Sequence, residues 1–245
     1  MAKHLSVIIP AYNEEKRIKI TLEAVYSYLS RQNYEWEAIV ISDGSKDRTV
    51  EVVSEFISNK PGISLIANTQ NRGKGYVVKQ GMLRARGDYR LFTDADNSTS
   101  IEQIEKFWPF FNEGYDIVIG SIEVPGAKIH EHAQWYRRAL GKYSKYLIRF
   151  VAGLWSVHDT QRGFKCFTAK AAEDIFSRAK IDRFGFDIEV LALAKKMGYQ
   201  IKEVPVIWNN PGGGTVHLKS YIETLKDLFR IRFYLWFNAY KIKKS

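Results

Sequence analysis

The chain has 245 residues, of which 45% are hydrophobic and 26% charged, and its formal net charge is +10 at pH 7. A chain of this length can bury a core of its own, which excludes a disordered polymer and a small scaffold that depends on disulfides. Its single cysteine, Cys166, cannot form an internal disulfide and fits a reducing compartment. Without a signal-peptide pattern or an apolar run of about 18 residues, we expect a soluble or peripheral protein.

The first half of the chain alternates strand and helix patterns. Strands are predicted over 5–11, 37–42, 63–67, 88–93 and 115–120, and helices over 18–29, 47–57, 76–85 and 101–111. Strands separated by helical segments of about ten residues are typical of βαβ units. The pattern therefore predicts an α/β fold with a mainly parallel sheet.

The second half is mixed in character. It contains a predicted helix over 134–154, a loop over 159–167, a helix over 187–196, a strand over 200–208, a glycine cluster at 212–214 and a final helix from 219. The chain shows no internal repeat and no linker that would separate a second domain. We expect a single domain over 1–217, followed by a basic, aromatic C-terminal helix over 218–245.

Polar residues follow four predicted strands, at the point where each strand ends. They form the segments 12–14, 43–45, 71–75 and 94–96. Because right-handed crossovers bring the carboxyl ends of parallel strands to one edge of the sheet, these segments are expected to line one crevice.

Two carboxylates, Asp94 and Asp96, end the fourth strand. Oxygen ligands suit Mg²⁺ or Mn²⁺, and an incomplete ligand set leaves room for waters or substrate phosphates. The pair therefore predicts a site for a metal–diphosphate complex. The alternative is an Asx turn that caps the helix starting near Ser100.

The other strand ends suggest a nucleotide without a dinucleotide motif. Asp43 could accept a hydrogen bond from a base, whereas Ser45 and Asp47 suit helix capping. The segment 71–75 (NRGKG) places two cations and two glycines at a helix entrance, where an anion could approach or where the charges are simply solvated. Neither a G-x-G-x-x-G turn after a strand nor a P-loop occurs, so NAD-enzyme and P-loop interpretations lose their main support.

Taken together, these segments resemble the GT-A glycosyltransferases of family 2. The matching strings are 7–14 (VIIPAYNE), 42–49 (SDGSKDRT), 71–75 (NRGKG), 94–96 (DAD), 159–167 (DTQRGFKCF), 186–189 (FDIE) and 203–208 (EVPVIW). The string 159–167 is most similar to the dolichyl-phosphate β-glucosyltransferase branch of the polyprenyl-phosphate enzymes. The resemblance implies a Rossmann-like GT-A fold with a nucleotide-binding half over 1–120 and an acceptor half over 121–217.

The resemblance also implies roles for individual residues. The nucleotide sugar would be held by Pro10, Ala11, Tyr12, Glu14, Asp43, Lys74, Asp94, Ala95 and Asp96. A Mg²⁺ or Mn²⁺ ion would be bound by Asp94 and Asp96, with Ser98 as an additional ligand. The residues expected to carry catalysis are Asp94, Asp96, Asp159 and Lys165.

Two positions depart from the pattern of this family. The second strand ends in Ser42-Asp43 where relatives usually carry two aspartates, which leaves one acid for the base. Ile122 stands where relatives often carry an arginine that meets the acceptor phosphate. We therefore expect acceptor binding to fall to Arg137, Arg138, Gln161 and Lys128.

The expected reaction is metal-dependent, inverting transfer of glucose from UDP-glucose to a polyprenyl or dolichyl phosphate. The acceptor phosphate, with a second pKa of about 6, is largely dianionic and needs no general base. GDP-mannose or a UDP-N-acetylhexosamine is an alternative donor. A saccharide or protein hydroxyl is an alternative acceptor and would require Asp159, Asp187 or Glu189 as base, although helix N-terminal charge pairing also explains the last two.

Two basic, aromatic segments bear on location. The predicted helix 134–154 is amphipathic, and the segment 219–245 carries seven basic and two acidic residues. Such helices can lie in a lipid headgroup layer, and they can equally pack on the domain with a solvated basic edge. Nucleic-acid binding is the other interpretation, but no recognised motif accompanies it. We expect reversible contact with the cytoplasmic face of a membrane.

Overall fold

The computed structural model describes residues 5–130, 146–209 and 218–242. Arg137, Arg138, the glycine cluster at 212–214 and most of the predicted helix 134–154 lie outside these residues. Of that helix, the structure describes a helical segment at 146–152.

The described chain alternates strands and helices, as predicted for its first half. The strands are β1 (Leu5–Ala11), β2 (Trp36–Asp43), β3 (Ile63–Asn68), β4 (Tyr89–Thr93), β5 (Ile117–Ser121), β6 (Lys128–His130), β7 (Phe164–Thr168), β8 (Ile201–Pro205) and β9 (Ile207–Asn209). The helices are α1 (Ile18–Leu29), α2 (Thr49–Ile57), α3 (Lys74–Arg84), α4 (Trp108–Asn112), α5 (146–152), α6 (Ala169–Arg178), α7 (Phe186–Lys196) and α8 (Leu218–Trp236).

Seven strands form one sheet in the order β3-β2-β1-β4-β7-β5-β8, and β6 pairs with β9 in a small separate sheet. Strands β1 to β4 run parallel, and β5 runs parallel to β8. The predicted α/β fold with a mainly parallel sheet is thus confirmed. Only β7 runs antiparallel to its two neighbours, β4 and β5.

Apolar residues fill both faces of the sheet, as a sheet covered by helices requires. Alternation along β1 sends Ile8 to one face, against Val77 of α3, and Ile9 to the other, against Leu22 of α1. Because these strands are buried on both faces, their sequences are continuous β-branched runs rather than alternating ones.

The prediction of a loop over 159–167 was wrong at its end, where Phe164–Thr168 forms the buried strand β7. Its N-terminal end lies beside the C-terminal end of β4, with Thr93 opposite Phe164. The antiparallel direction therefore carries the preceding residue, Gly163, to the sheet edge at which the parallel strands end.

Three further elements differ most from the predictions. The predicted helix 101–111 is a 3₁₀ turn (Ile101–Lys106) followed by α4, and the predicted strand 200–208 is divided between β8 and β9. Helix α6 was not predicted, although Thr168 caps it by accepting a hydrogen bond from the Ala171 amide.

The C-terminal helix α8 packs against α7. Leu228 and Ile231 of α8, and Tyr240 beyond its end, are buried in the same core. The Tyr240 hydroxyl donates a 2.8 Å hydrogen bond to Glu189 of α7. The division at 217–218, and that between the two halves at 120–121, stay predictions. Within the parts of the chain that the structure describes, no helix combines the length and apolar character needed to cross a bilayer.

Candidate functional site

A cavity of about 330 Å³ opens at the edge where the parallel strands end. The nine residues predicted to hold a nucleotide sugar, from Pro10 to Asp96, all line it. Its remaining lining residues are Arg17, Asn71, Gly73, Val77, Arg183 and Phe184. The four predicted strand-end clusters are thus brought together in one crevice.

Hydrogen bonds join the loop after β1 to the loop after β2. The Asn13 amide donates to the Ser45 hydroxyl (3.1 Å), and the Asn13 side chain accepts from the Lys46 amide (2.8 Å). The next amide along the chain, that of Glu14, donates to the Thr49 hydroxyl (2.8 Å). Asn13 adopts a left-handed backbone with φ of 55°, which asparagine tolerates better than most residues. These bonds fix the two loops relative to each other.

Asp47 strengthens the same junction. Its carboxylate accepts from the Thr49 amide (3.0 Å) at the start of α2 and from the Glu15 amide (3.1 Å) in the other loop. Burial works against the charge of Asp47, but these donors together lower its pKa. The capping role that the sequence suggested for Asp47 accounts for its contacts.

Asp43 ends β2 and is nearly buried. Its two oxygens accept 2.8 Å hydrogen bonds from the backbone amides of Arg72 and Gly73, at the entrance of α3. Burial raises the pKa of this carboxyl, and the two amides oppose that rise. Asp43 therefore shapes the 71–75 loop while one edge of it still faces the cavity.

Gly73 and Gly75 are required in that loop because it passes close to the backbone of 181–183, the segment before α7. A Cβ on Gly73, whose φ is 115°, would meet the Asp182 carbonyl oxygen at 2.4 Å, and one on Gly75 would meet that of Ile181 at 2.5 Å. This close approach carries Arg183 and Phe184 to the cavity.

Asp94 is held between two groups from other parts of the chain. The Lys74 ammonium donates to its Oδ1 at 2.5 Å, and the Asp94 amide donates to the Gly163 carbonyl at 3.2 Å. A Cβ on Gly163 would stand 2.0 Å from Asp94 Oδ2, so only glycine fits there without displacing the carboxylate. Burial opposes the charge of Lys74, but Asp94 and Asp187 together raise its pKa.

Asp96 lies on the same wall, at the turn after β4. Its Oδ1 accepts from the Ser98 amide at 3.0 Å, and Asn97 between them is left-handed with φ of 53°. This is an Asx turn, the alternative to a metal site that the sequence predicted. Only Oδ1 of Asp96 takes part in the turn, and Oδ2 does not. Ser98 is buried and is not among the residues that line the cavity.

Glu14 stands across the cavity with its carboxylate bound by Arg17. Both Glu14 oxygens accept from the Arg17 guanidinium, at 2.7 and 2.8 Å. Burial raises the pKa of Glu14, against the effect of Arg17, and Asp96 and Asp94 raise it further. Besides Asp43, the cavity therefore gathers the carboxylates of Glu14, Asp94 and Asp96, whose mutual repulsion a bound cation would relieve.

A two-carboxylate metal site suits the chemistry of this wall. Within 5–130, 146–209 and 218–242, no cluster of three or more His, Cys, Asp or Glu side chains could enclose a metal ion. Asp94 and Asp96 therefore offer an incomplete ligand set, which fits a hard cation that keeps phosphate oxygens or waters as its other ligands.

A buried ion pair lies next to this wall. Lys165 of β7 has no solvent exposure, and its ammonium donates to Asp187 of α7 at 2.6 Å and to the Arg162 carbonyl. Burial raises the pKa of Asp187, and Lys165 and Lys74 oppose that rise. Lys165 does not line the cavity. Its partner Asp187 interacts electrostatically with Lys74, and Lys74 forms the ion pair with Asp94.

Asp159 also lies away from the cavity lining. It is buried, its carboxylate accepts from the Ile122 amide at 3.2 Å, and Arg162 approaches it at 3.4 Å. Gln161 and Lys128, predicted to bind the acceptor, are exposed at the surface. Glu189, also a candidate base, accepts hydrogen bonds from the amides of 180 and 181 and from Tyr240. These contacts hold the chain before α7 and the chain after α8 in place.

Four cavity residues were missed from the sequence: Arg17, Val77, Arg183 and Phe184. Arg183 and Phe184 reach the cavity only because 181–184 packs against the glycines of the 71–75 loop, a contact between segments distant in sequence. For Arg17 the spacing from Glu14, one helical turn, was a usable signal.

Sequence comparison finds relatives over nearly the whole chain. The profile described as "Glycosyl transferase family 2" matches residues 6–176. Proteins named dolichyl-phosphate beta-glucosyltransferase are similar: ALG5D of Trichomonas vaginalis is 34% identical over 98% of this chain and 76% of its own. The Dictyostelium discoideum protein is 35% identical (98% and 77%), and the Homo sapiens protein 30% identical (99% and 79%).

Solved structures share the fold at low sequence identity. The M. tuberculosis glucosyl-3-phosphoglycerate synthase, crystallised with Mn²⁺, UDP and phosphoglyceric acid, superposes with a TM-score of 0.70 at 17% identity, over 94% of this chain and 78% of that one. S. aureus TarS 1-349 with UDP-GlcNAc gives a TM-score of 0.61 at 19% identity, over 96% and 67%.

Proposed function

The chain belongs to glycosyl transferase family 2 and has the GT-A fold, and from that premise we propose that it transfers glucose from UDP-glucose to a dolichyl or other polyprenyl phosphate, with inversion. The observation that carries the proposal is the single cavity shared by Asp43, Asp94 and Asp96. The names of the relatives at 30–35% identity support the sugar and the acceptor.

We assign the base and ribose to the end of the cavity formed by Pro10, Tyr12 and Asp43. Tyr12 keeps 37% of its surface exposed, so its ring is available to a flat base. Asp43 is fixed by two backbone amides and can accept from a base N–H without rearrangement. The nucleoside would thus enter a preformed site.

We assign the diphosphate to the opposite wall. Asp94 and Asp96 would hold a Mg²⁺ or Mn²⁺ ion, with Ser98 a less direct candidate because its side chain is buried behind the wall. When bound, such an ion offsets the charge that develops on the leaving nucleoside diphosphate. Lys74 lies within 2.5 Å of Asp94 and supplies a second positive charge on the same side.

The acceptor would approach the anomeric carbon from the face opposite the diphosphate, as inversion requires. A phosphate monoester is largely dianionic near neutral pH, so positioning cations matter more than a base. Arg183 lines the cavity and is our principal candidate for this task. Arg137, Arg138, Gln161 and Lys128 remain proposed acceptor residues.

Asp159 and Lys165 remain proposed contributors to catalysis, acting through their neighbours. Asp159 holds the backbone of Ile122 and the side chain of Arg162, and Lys165 neutralises Asp187 beneath Lys74. Both would position the cavity wall rather than contact the sugar.

The test is a donor and acceptor screen on the intact chain. UDP-glucose, GDP-mannose and UDP-N-acetylglucosamine are each offered with a short, water-soluble polyprenyl phosphate, with Mg²⁺, with Mn²⁺ or with a chelator, and released nucleotide is measured. We expect release with UDP-glucose and a metal only. A preference for another donor would overturn the sugar, and equal turnover with the chelator would overturn the metal.

The acceptor class is tested in the same screen. A polyprenol that lacks the phosphate and a soluble saccharide replace the polyprenyl phosphate. Because the proposal relies on an acceptor that is already ionised, we expect neither to be glycosylated. Transfer to either hydroxyl would instead indicate a general base.

We further propose that the chain acts as a peripheral protein on the cytoplasmic face of a membrane, since a polyprenyl chain resides in lipid. Fractionation of cells that express the chain, with and without a high-salt wash of the membranes, tests this location. Release by salt would support reversible contact.

A further inference from the structure

One face of helix α8 exposes a continuous stripe of large apolar side chains. Ile222, Leu225, Phe229, Phe233 and Trp236 are between 42% and 80% exposed. At 3.6 residues per turn their spacing confines them to an arc of about 80°. Leu228 and Ile231, which point away from the stripe, are buried, so the stripe is not the side on which α8 packs.

Basic residues border this stripe on both sides. By the same helical geometry Arg232 lies along one edge, and Lys226 and Arg230 lie along the other. All three are exposed. An apolar strip rich in Phe and Trp and bordered by Arg and Lys is the arrangement that inserts between anionic headgroups.

The stripe continues across a groove onto α5. Ala152 and Gly153 form one wall of the groove and Arg232 and Trp236 the other, and Lys195 and Lys196 of α7 line it as well. Beside Ala152, Phe150 and Trp155 pack edge to face and are 70% and 59% exposed. Exposed aromatic side chains therefore occur on α8 and in the α5 segment, the two parts of the chain that border this basic groove.

Helix α8 also contacts the segment that lines the cavity described above. Asp227, on the inner side of α8, packs so closely on Gly185 that a Cβ there would stand 2.5 Å from it. Gly185 directly follows Arg183 and Phe184, which line the cavity. Helix α8 therefore carries the stripe on its outer side and contacts the cavity-lining segment on its inner side.

We propose that the outer face of α8, with Phe150 and Trp155, binds an anionic lipid surface. This deepens the proposed function, because it puts the cavity beside the layer that contains a polyprenyl phosphate. A second copy of the chain would bring an identical basic border against this one, so like charges oppose self-association through this face. Lipid headgroups of opposite charge satisfy both the apolar stripe and its border.

The test is flotation of the intact chain with vesicles that contain no polyprenyl phosphate. Vesicles of phosphatidylcholine alone are compared with vesicles that include about a third phosphatidylserine. The triple variant Phe229→Ser/Phe233→Ser/Trp236→Ser removes the centre of the stripe. The control is Ile20→Ser, which removes a side chain 61% exposed on α1, and circular dichroism checks that each variant is folded.

We expect the parent chain and Ile20→Ser to float with the anionic vesicles, and the triple variant to bind about tenfold or more weakly. Neutral vesicles or high salt should weaken binding by a similar factor. Equal binding by the parent and the folded triple variant would overturn the proposal. So would a dimer, seen by sedimentation, that the triple variant dissociates.

Transfer to the short, water-soluble acceptor separates this proposal from the proposed function. The triple variant should retain that transfer, because none of its three positions lines the cavity. Vesicle binding without any glucosyl transfer would support the lipid surface and count against the glucosyltransferase. Glucosyl transfer without vesicle binding would overturn the lipid surface alone.

Discussion

The side of the molecule that we propose holds the donor and the side that we propose receives the acceptor are built differently. On the donor side, the loops after β1, β2 and β3 are joined by side-chain to backbone hydrogen bonds, through Asn13, Asp43 and Asp47. On the acceptor side, Arg137 and Arg138 lie outside the described residues, and Gln161 and Lys128 are exposed. Asp159 is buried, and its carboxylate accepts from the Ile122 amide. Loops joined by hydrogen bonds suit the small, soluble donor that we propose, and exposed side chains suit a proposed acceptor that is mostly embedded elsewhere.

The largest effect is expected on the donor side, from Asp94→Asn. Turnover should fall about a thousandfold or more, because the wall loses a charged ligand for the diphosphate's counter-ion. Stability should change by no more than about 1 kcal/mol, since the pair with Lys74 is partly exposed. Steady-state kinetics and thermal denaturation measure the two effects.

The matched control for that variant is Asp88→Asn. Asp88 is exposed just before β4, at the opposite end of the same strand. It should keep full activity. An Asp94→Asn enzyme within tenfold of the parent would contradict the contrast between the two sides.

The next largest effect is expected from the buried ion pair between Lys165 and Asp187, which lies next to the wall that carries Asp94. Lys165→Met leaves Asp187 charged and unpaired in the core, which should lower the free energy of unfolding by about 3 kcal/mol. Adding Asp187→Leu removes the stranded charge and should restore at least half of that loss. Urea denaturation measures both, and a single variant as stable as the parent would show that the pair adds nothing.

A smaller effect is expected where the two sides meet. Gly163→Ala would push the Asp94 carboxylate aside and should reduce turnover about a hundredfold. If Gly163 acts through Asp94, the same substitution should cost little more activity in an Asp94→Asn background. Additive losses in the double variant would contradict that coupling.

The smallest effect should come from Tyr240→Phe, which removes the hydroxyl that donates to Glu189. A buried hydrogen bond of this kind contributes about 1 kcal/mol, and its loss should be seen in urea denaturation. Tyr26→Phe is the control, because the Tyr26 ring packs between Trp36 and Phe56 and its substitution keeps those contacts. An equal loss of stability in both variants would contradict a specific contribution from the hydrogen bond between Tyr240 and Glu189.

The same contrast explains what could be predicted from the sequence. Donor-side strands such as β1 are continuous β-branched runs followed by polar residues, so local pattern determines both element and site. Even there the predicted start of α3 was two residues late. The helix begins at Lys74, directly after the glycine loop, and not at the first residue of its apolar pattern.

Strand β7 could not be predicted from pattern alone. It contains Lys165, and a lysine in a short segment indicates a solvated loop unless its partner is known. That partner, Asp187, lies 22 residues away, and only the fold brings it into contact. The same holds for Arg183 and Phe184, whose place in the cavity depends on packing between 181–184 and the 71–75 loop. Helix α6, in contrast, has a cap at Thr168 that local sequence pattern indicates.

The antiparallel direction of β7 also affects how the chain could be varied. Strands β5 and β7 are hydrogen-bonded neighbours, with Ile119 opposite Lys165, and the chain leaves β5 and enters β7 at the same edge of the sheet. The intervening residues 122–163 are therefore an excursion from what would otherwise be a hairpin. A relative's segment could replace most of them, provided that it keeps Gly163 beside Asp94 and a strand that pairs with β9. Substrate preference on this side could then diverge, or be engineered, as an exchangeable module while the donor site stays constant.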